Sequence, residues 1–150
     1  MKNLILSAAV LLTVTFSAHA STAEPVTNSK VEETFIKTFK VAENVKWSNT
    51  GNNYEAYFEN NGIKTRVTID GKGNLLQTIR YYGESNLPAH VLYHVKNDYK
   101  GSEVHGITEV SNNYGINYRI VLKNSKKYIH INVDDKGHTE LVVENTRGDK

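Results

Sequence analysis

The chain has no cysteine, two prolines, one methionine and one tryptophan among its 150 residues. Without cysteine it can form no disulfide, no thiolate metal site and no lipid-modified cysteine, so its stability has to come from packing. An excess of one charge is also missing: 18 Lys and Arg stand against 16 Asp and Glu, and the two signs are interspersed. That balance points to neither nucleic acid nor an anionic membrane surface as a partner. Past residue 20 no apolar run approaches the roughly 20 residues that span a bilayer, so no membrane span is expected in the mature protein.

What is present begins with Lys2, an apolar run over residues 4–16, and Ala18-His19-Ala20. A positive start, a short apolar run and a small-residue site are the layout of a cleaved secretory signal. Ser7, Thr13 and Thr15 interrupt the run, which argues against a membrane anchor. The reading is a signal peptide over 1–20, a flexible leader over 21–28 that contains Pro25, and one domain over 29–150, exported to the periplasm or the medium. Roughly 120 to 130 residues suffice for a single domain with its own core.

Ser29 followed by Glu32 reads as a capping box, and Val31, Phe35, Ile36 and Phe39 follow at helical spacing. From Val45 the period changes to two: Val45 and Trp47, then Tyr54, Ala56 and Phe58, then Thr65, Val67 and Ile69 alternate with polar neighbours. Asn60-Asn61-Gly62 and Asp70-Gly71-Lys72-Gly73 are turn signals between strands. Ser85-Asn86 and Pro88 then open a second helix with the stripe Val91, Leu92, Val95 and Tyr99, and four more strands follow over 104–110, 118–122, 129–133 and 139–143.

Residues 51–73 laid on 115–137 match at seven of 23 positions without a gap, where chance gives about one or two. Phe39 and Tyr99 match at an offset of 60 instead, which puts about four extra residues after the second helix. The expected class is α+β: two tandem α-β4 repeats, over 29–82 and 85–144, sharing one antiparallel sheet with both helices packed on one face.

Phe39 before Val45-Lys46-Trp47, then Tyr54-Glu55-Ala56-Tyr57-Phe58, Asn61-Gly62, Asp70-Gly71-Lys72-Gly73-Asn74-Leu75-Leu76, and Leu87-Pro88 form an ordered set. In that set the chain resembles the PepSY-like, β-lactamase-inhibitor-protein-like family of small exported bacterial proteins. The resemblance implies a two-repeat sheet with helices on one side and a role in binding a protein or peptide, with inhibition of an enzyme as one form of it. The second copy departs from the pattern at Ser111, where the offset of 64 places the Trp47 equivalent, and at Asn124-Ser125-Lys126.

Chemistry-bearing residues are few. His90, His94 and Asp98 lie four apart on the second helix, a spacing that could hold zinc. No general base accompanies them, and they read as a solvated helix face. The Asp-rich turns at 70–74 and 134–138 lack the length and distal Glu of a calcium loop and read as hairpin turns. No Gly-x-Ser-x-Gly is present, and the spacing of His105, His130 and His138 requires no triad, so neither a catalytic site nor a cofactor is expected.

Trp47, Tyr54 and Phe58 fall in the buried phase. The opposite phase carries Glu55, Tyr57, Lys64, Arg66, Arg119, Val121, Tyr128, His130 and Asn132. Tyr and Arg combine contact area with directional hydrogen bonding, so Tyr57, Arg66, Arg119, Val121, Tyr128 and His130 are the candidate partner-binding residues. The expected function is a non-catalytic module that holds a protein or peptide on the open sheet face. The competing readings are a metal or small-ligand carrier on His90, His94 and Asp98, and a structural envelope protein.

Overall fold

The computed structural model describes residues 27–148. The expected signal segment, most of the leader and the last two residues lie outside the described residues.

Eight strands run antiparallel in chain order, each hydrogen-bonded to its neighbour in sequence: β1 (Lys46–Thr50), β2 (Asn53–Asn60), β3 (Ile63–Asp70), β4 (Leu75–Tyr82), β5 (Glu103–Asn112), β6 (Gly115–Lys123), β7 (Lys127–Asp134) and β8 (Thr139–Thr146). Two ten-residue helices, α1 (Ser29–Thr38) and α2 (Ala89–Asp98), and a single 3-10 turn over Glu84–Asn86 complete the fold.

The α+β class with both helices packed as a layer on the sheet is therefore corrected: the described residues are nearly all sheet. A helix of three turns offers too narrow a stripe to build a layer. Each contributes two buried side chains, Val31 and Phe35 from α1 and Val91 and Val95 from α2. Ile36, which the spacing placed on the apolar stripe, is 65% exposed.

Most of the core comes from alternate residues of the strands. One cluster joins Val31 and Phe35 to Ala56, Phe58, Val67 and Ile69, with Phe39, Trp47 and Tyr54 partly buried against it. Phe35 meets the rings of Trp47 and Phe58 edge-on at 5.0 and 5.7 Å, the geometry that aromatic quadrupoles favour. The other cluster joins Val91 and Val95 to Ile107, Tyr118, Ile120, Leu122, Ile129, Ile131 and Val133.

The helix starts differ from the capping pattern. Asn28, one residue before the expected Ser29, caps α1 and accepts the Val31 N–H at 3.0 Å. α2 starts after Pro88 without a side-chain cap, while Ser85 and Asn86 form the 3-10 turn. The turn between β2 and β3 is as expected: Asn61 and Gly62 both have positive φ, 50° and 75°, the geometry that matches strand twist.

The β2–β3 register, from Asn53 opposite Asp70 to Glu59 opposite Lys64, recurs pair for pair as Asn117 opposite Asp134 to Lys123 opposite Tyr128. The extra residues of the second half do not follow its helix. Trp47 pairs with Ala56 and Ile107 with Ile120, so Ile107, not Ser111, stands at the Trp47 place. The added residues lengthen the β5–β6 hairpin by two pairs, Ser111 with Ile116 and Asn112 with Gly115.

Each helix lies against a hairpin turn. The Thr34 hydroxyl donates to the Gly73 carbonyl at 2.7 Å, and Asn28 Nδ2 donates to the Gly71 carbonyl at 3.0 Å. Around α2, His90 Nε2 donates to the Asp135 carbonyl at 2.9 Å, the His94 ring lies over Gly137, and Thr139 Oγ1 donates to Asp98 Oδ2 at 2.8 Å.

Candidate functional site

Successive residues of a strand point to opposite sides of a sheet. With Ala56, Phe58, Val67 and Ile69 in the core, Tyr57 and Arg66 project from the other face, and they stand directly opposite one another on β2 and β3. In the second half Val121 stands opposite His130, Arg119 opposite Asn132, and Lys123 opposite Tyr128. Five of the six candidate residues lie between two buried neighbours, and Tyr128 lies between exposed Lys127 and buried Ile129.

They do not form one cluster. Tyr57 and Arg66 sit on β2 and β3, whereas Arg119, Val121, Tyr128 and His130 sit on β6 and β7. At the usual strand spacing, β3 and β6 are about 14 Å apart.

The space between is filled from β4 and β5, whose contribution the sequence reading left out. Arg66 pairs with Ile79, Ile79 with Val110, Lys64 with Tyr81, Tyr81 with Thr108, and Thr108 with Arg119. The centre of this face is therefore Ile79, Tyr81 and Val110, with Arg66 and Arg119 on either side and Tyr57 beyond Arg66. Tyr57 and Tyr81 are each 38% exposed, the middle ground in which an aromatic ring is supported by neighbours and still reachable. The missed residues had a signal: once Tyr82 and Ile107 are assigned to the core, Tyr81 and Thr108 must face the other way.

The core side holds a second feature missed in the sequence. Arg80 and Glu109 fall in the buried phase of β4 and β5 and are directly paired. Arg80 Nη1 donates to Glu109 Oε1 at 3.2 Å, and the Tyr82 hydroxyl donates to Glu109 Oε2. The Arg80 guanidinium lies 5.3 Å from the centre of the Tyr82 ring. Burial, reinforced by the Glu109 hydrogen bond, pushes the Tyr82 phenol well above its ordinary value; burial and the Glu109 charge raise Tyr118 as well. Both phenols remain neutral, and the Glu109 carboxylate is met by the Tyr82 hydroxyl and the Arg80 guanidinium. Arg80 also borders a cleft of about 350 Å³ with Phe39, Phe58 and Ile63.

The metal candidates His90, His94 and Asp98 are exposed, as expected of a solvated helix face, and each also touches the second half's last hairpin. His90 and Asp98 are hydrogen-bonded to the β7–β8 turn and strand, and His94 packs on Gly137. Among the described residues no group of three His, Asp or Glu side chains is arranged to hold a metal ion.

The two Asp turns use their carboxylates internally. Asp134 Oδ1 accepts the Lys136 and His138 N–H groups at 2.9 Å each, and Oδ2 meets His138 Nδ1 at 2.8 Å. Asp70 accepts from Lys72 and from both nitrogens of Asn74 in the same way. The His138 side-chain bond, then its backbone N–H, pull Asp134 down to about 2, and the Asn74 bonds lower Asp70. A carboxyl group lowered in the folded state stabilises above its unfolded value and loses that contribution as pH falls through its folded value. Thermal melts should therefore show little effect from these turns above pH 5 and a progressive fall in Tm from about pH 4 toward pH 2. Asp134→Asn should melt lower near neutrality and show a shallower acid decline.

No family model matches the chain, and no curated protein matches it significantly. Solved structures do. A BLIP-like protein from Bacteroides fragilis has a TM-score of 0.60 and 21% identity, over 83% of this chain and 90% of that one. A DUF2874 family protein from Bacteroides ovatus has a TM-score of 0.60 and 20% identity over the same shares. A candidate periplasmic protein from Bacteroides eggerthii has a TM-score of 0.58 and 19% identity, over 81% and 89%. At these identities the likeness is one of fold: the chain has the fold of the BLIP-like proteins.

Proposed function

We propose that this chain is an exported, non-catalytic binding module of the PepSY-like and BLIP-like kind, built from two copies of one unit, that holds a protein or peptide on its open sheet face. The observation that carries the reading is the face itself. A continuous surface across β2 to β7 presents Ile79, Tyr81 and Val110 between Arg66 and Arg119, with Tyr57 on the outer side of Arg66. Large aromatic and apolar side chains flanked by arginine are the composition of binding hot spots. Inhibition of an enzyme is one form such binding takes. The signal-like start supports export, and no helix among the described residues is long and apolar enough to cross a membrane.

The carrier reading loses its footing because His90, His94 and Asp98 are each engaged by the β7–β8 turn and the residue that follows it. Affinity capture from an envelope extract tests the binding reading. Tyr57→Ala, Arg66→Ala and Arg119→Ala combined should lower recovery of a specific partner at least tenfold while leaving the melting temperature within a few degrees. Unchanged recovery of every partner would show that the working surface lies elsewhere.

A further inference from the structure

We infer that the occupant of the open face is an extended acidic segment, with carboxylates on its first and fifth residues and an apolar or aromatic side chain on its third. The inference rests on the open-face reading above and adds the chemistry of what is held. It starts from three cations. Lys64 and Arg66 on β3 and Arg119 on β6 are exposed, and among the described residues none of them makes a side-chain hydrogen bond, ion pair or ring contact. Arg80, Lys96 and Lys127, by contrast, each have a carboxylate partner.

Acids are kept to the margins of this face. On the open side of β3 to β6 they are Glu103, opposite Lys123 at the far end of its hairpin, and Asp70, whose carboxylate is taken up within its own turn. Glu55 and Glu59 on β2, the latter opposite Lys64, border the face on one side, and Glu140 on β8 borders it on the other. A flat anionic surface such as a membrane would meet those flanking acids, whereas a narrow segment reaches the cations between them.

The spacing of the cations sets the length of the segment. Lys64, Tyr81, Thr108 and Arg119 form one row across β3 to β6, so the outer two are about 14 Å apart at the usual strand separation. Arg66 lies two residues from Lys64 on the same side, roughly 7 Å away, with Ile79 and Val110 in its own row. An extended chain advances about 3.4 Å per residue and sends alternate side chains to one side, so its first, third and fifth residues face the sheet over about 14 Å. One end carboxylate then meets Lys64 and Arg66, the other meets Arg119, and the third side chain lies on Tyr81 and Ile79. Arginine suits this use because its planar fork holds a carboxylate through two parallel hydrogen bonds.

The test is an NMR titration of the purified protein at low salt with the end-capped peptide Glu-Ser-Phe-Ser-Glu, with its counterpart Gln-Ser-Phe-Ser-Gln, and with Glu-Glu-Phe-Ser-Ser, which has the same charge but adjacent acids. Saturable shifts on β3 to β6 are expected with the first peptide, with binding about tenfold weaker for the second and about threefold weaker for the third. Lys64→Gln/Arg66→Gln/Arg119→Gln should lose the preference for the first peptide with its spectrum otherwise intact, and Lys40→Gln/Lys100→Gln should keep it. Equal binding of the glutamine peptide or of the adjacent-acid peptide at this face overturns the inference and leaves the open-face reading standing. Shifts that never saturate, or that map to another surface, also overturn the inference, and the open-face reading is then judged by capture from envelope extract alone. Phosphatidylglycerol vesicles at the same salt should leave the protein in solution; co-sedimentation that the triple variant loses would make a lipid surface the occupant and overturn the inference as well.

Discussion

Replacing Glu109 with alanine is expected to destabilise the fold by about 2 to 3 kcal/mol, the range for removing a charged acceptor from buried donors. Glu109 is 8% exposed and is the acceptor for both the Tyr82 hydroxyl and the Arg80 guanidinium. Its loss leaves Tyr82, a member of the larger core cluster, without the bond that offsets burial of its hydroxyl. Arg80 suffers less, because its side chain is 37% exposed and water replaces part of what it loses. Thermal denaturation should show a drop on the order of 10 °C for Glu109→Ala. Arg80→Met should cost about 1 kcal/mol. The opposite ranking would mean that the guanidinium, not the carboxylate, organises this seam.

The second large effect concerns the two turns on which the helices rest. Gly73 and Gly137 have φ of +89° and +91°, and a Cβ on either would enter the neighbouring helix. At Gly73 it would sit 3.0 Å from the Lys30 carbonyl oxygen, which is backbone and cannot swing away; at Gly137 it would sit 2.5 Å from His94 Cδ2, part of a side chain. Left-handed backbone alone costs an alanine about 1 to 2 kcal/mol, and the clash adds to it. Urea denaturation should therefore place each Gly→Ala variant about 2 kcal/mol or more below the parent. Adding His94→Ala to Gly137→Ala should recover part of the loss, because the two side chains share one space. Strict additivity of the two changes would show that the turn does not press on α2.

These two features mark where sequence reasoning reached and where it stopped. Alternation of apolar residues showed the strands, and Asn61-Gly62 and the Asp-Gly turns showed where they reverse, because both signals are local. The offset of 64 carried the β2–β3 register onto β6–β7, since a one-residue slip would have exposed Ile120 and Ile131.

The class was misjudged because Val31, Phe35, Ile36 and Phe39 read as a broad apolar stripe, whereas only Val31 and Phe35 are buried. The four additional residues were misplaced because the matching helix ends and matching hairpins bracket β5 without showing on which side of it the insertion falls.

The site was half legible for the same reason. Tyr57, Arg66, Arg119, Val121, Tyr128 and His130 have the right phase, which alternation shows, but their neighbours depend on which strands lie between. Ile79 and Tyr81 become central only once β4 and β5 are known to pair. Arg80 and Glu109 look like misplaced charges in two separate strands until that same pairing sets them side by side. His90, His94 and Asp98 are exposed, as their place beside the apolar stripe implied, but their contacts to a turn and strand some 40 residues further along the chain left no local signal.

Site-specific photocrosslinking tests the central claim, that the open face is the surface that holds a partner. A photoreactive benzoylphenylalanine in place of Tyr81, at the centre of that face, should give one discrete adduct in envelope extract. The same group in place of Ile36, on the exposed side of α1, should give none. Equal labelling from both positions, or an adduct only from Ile36, would contradict the account.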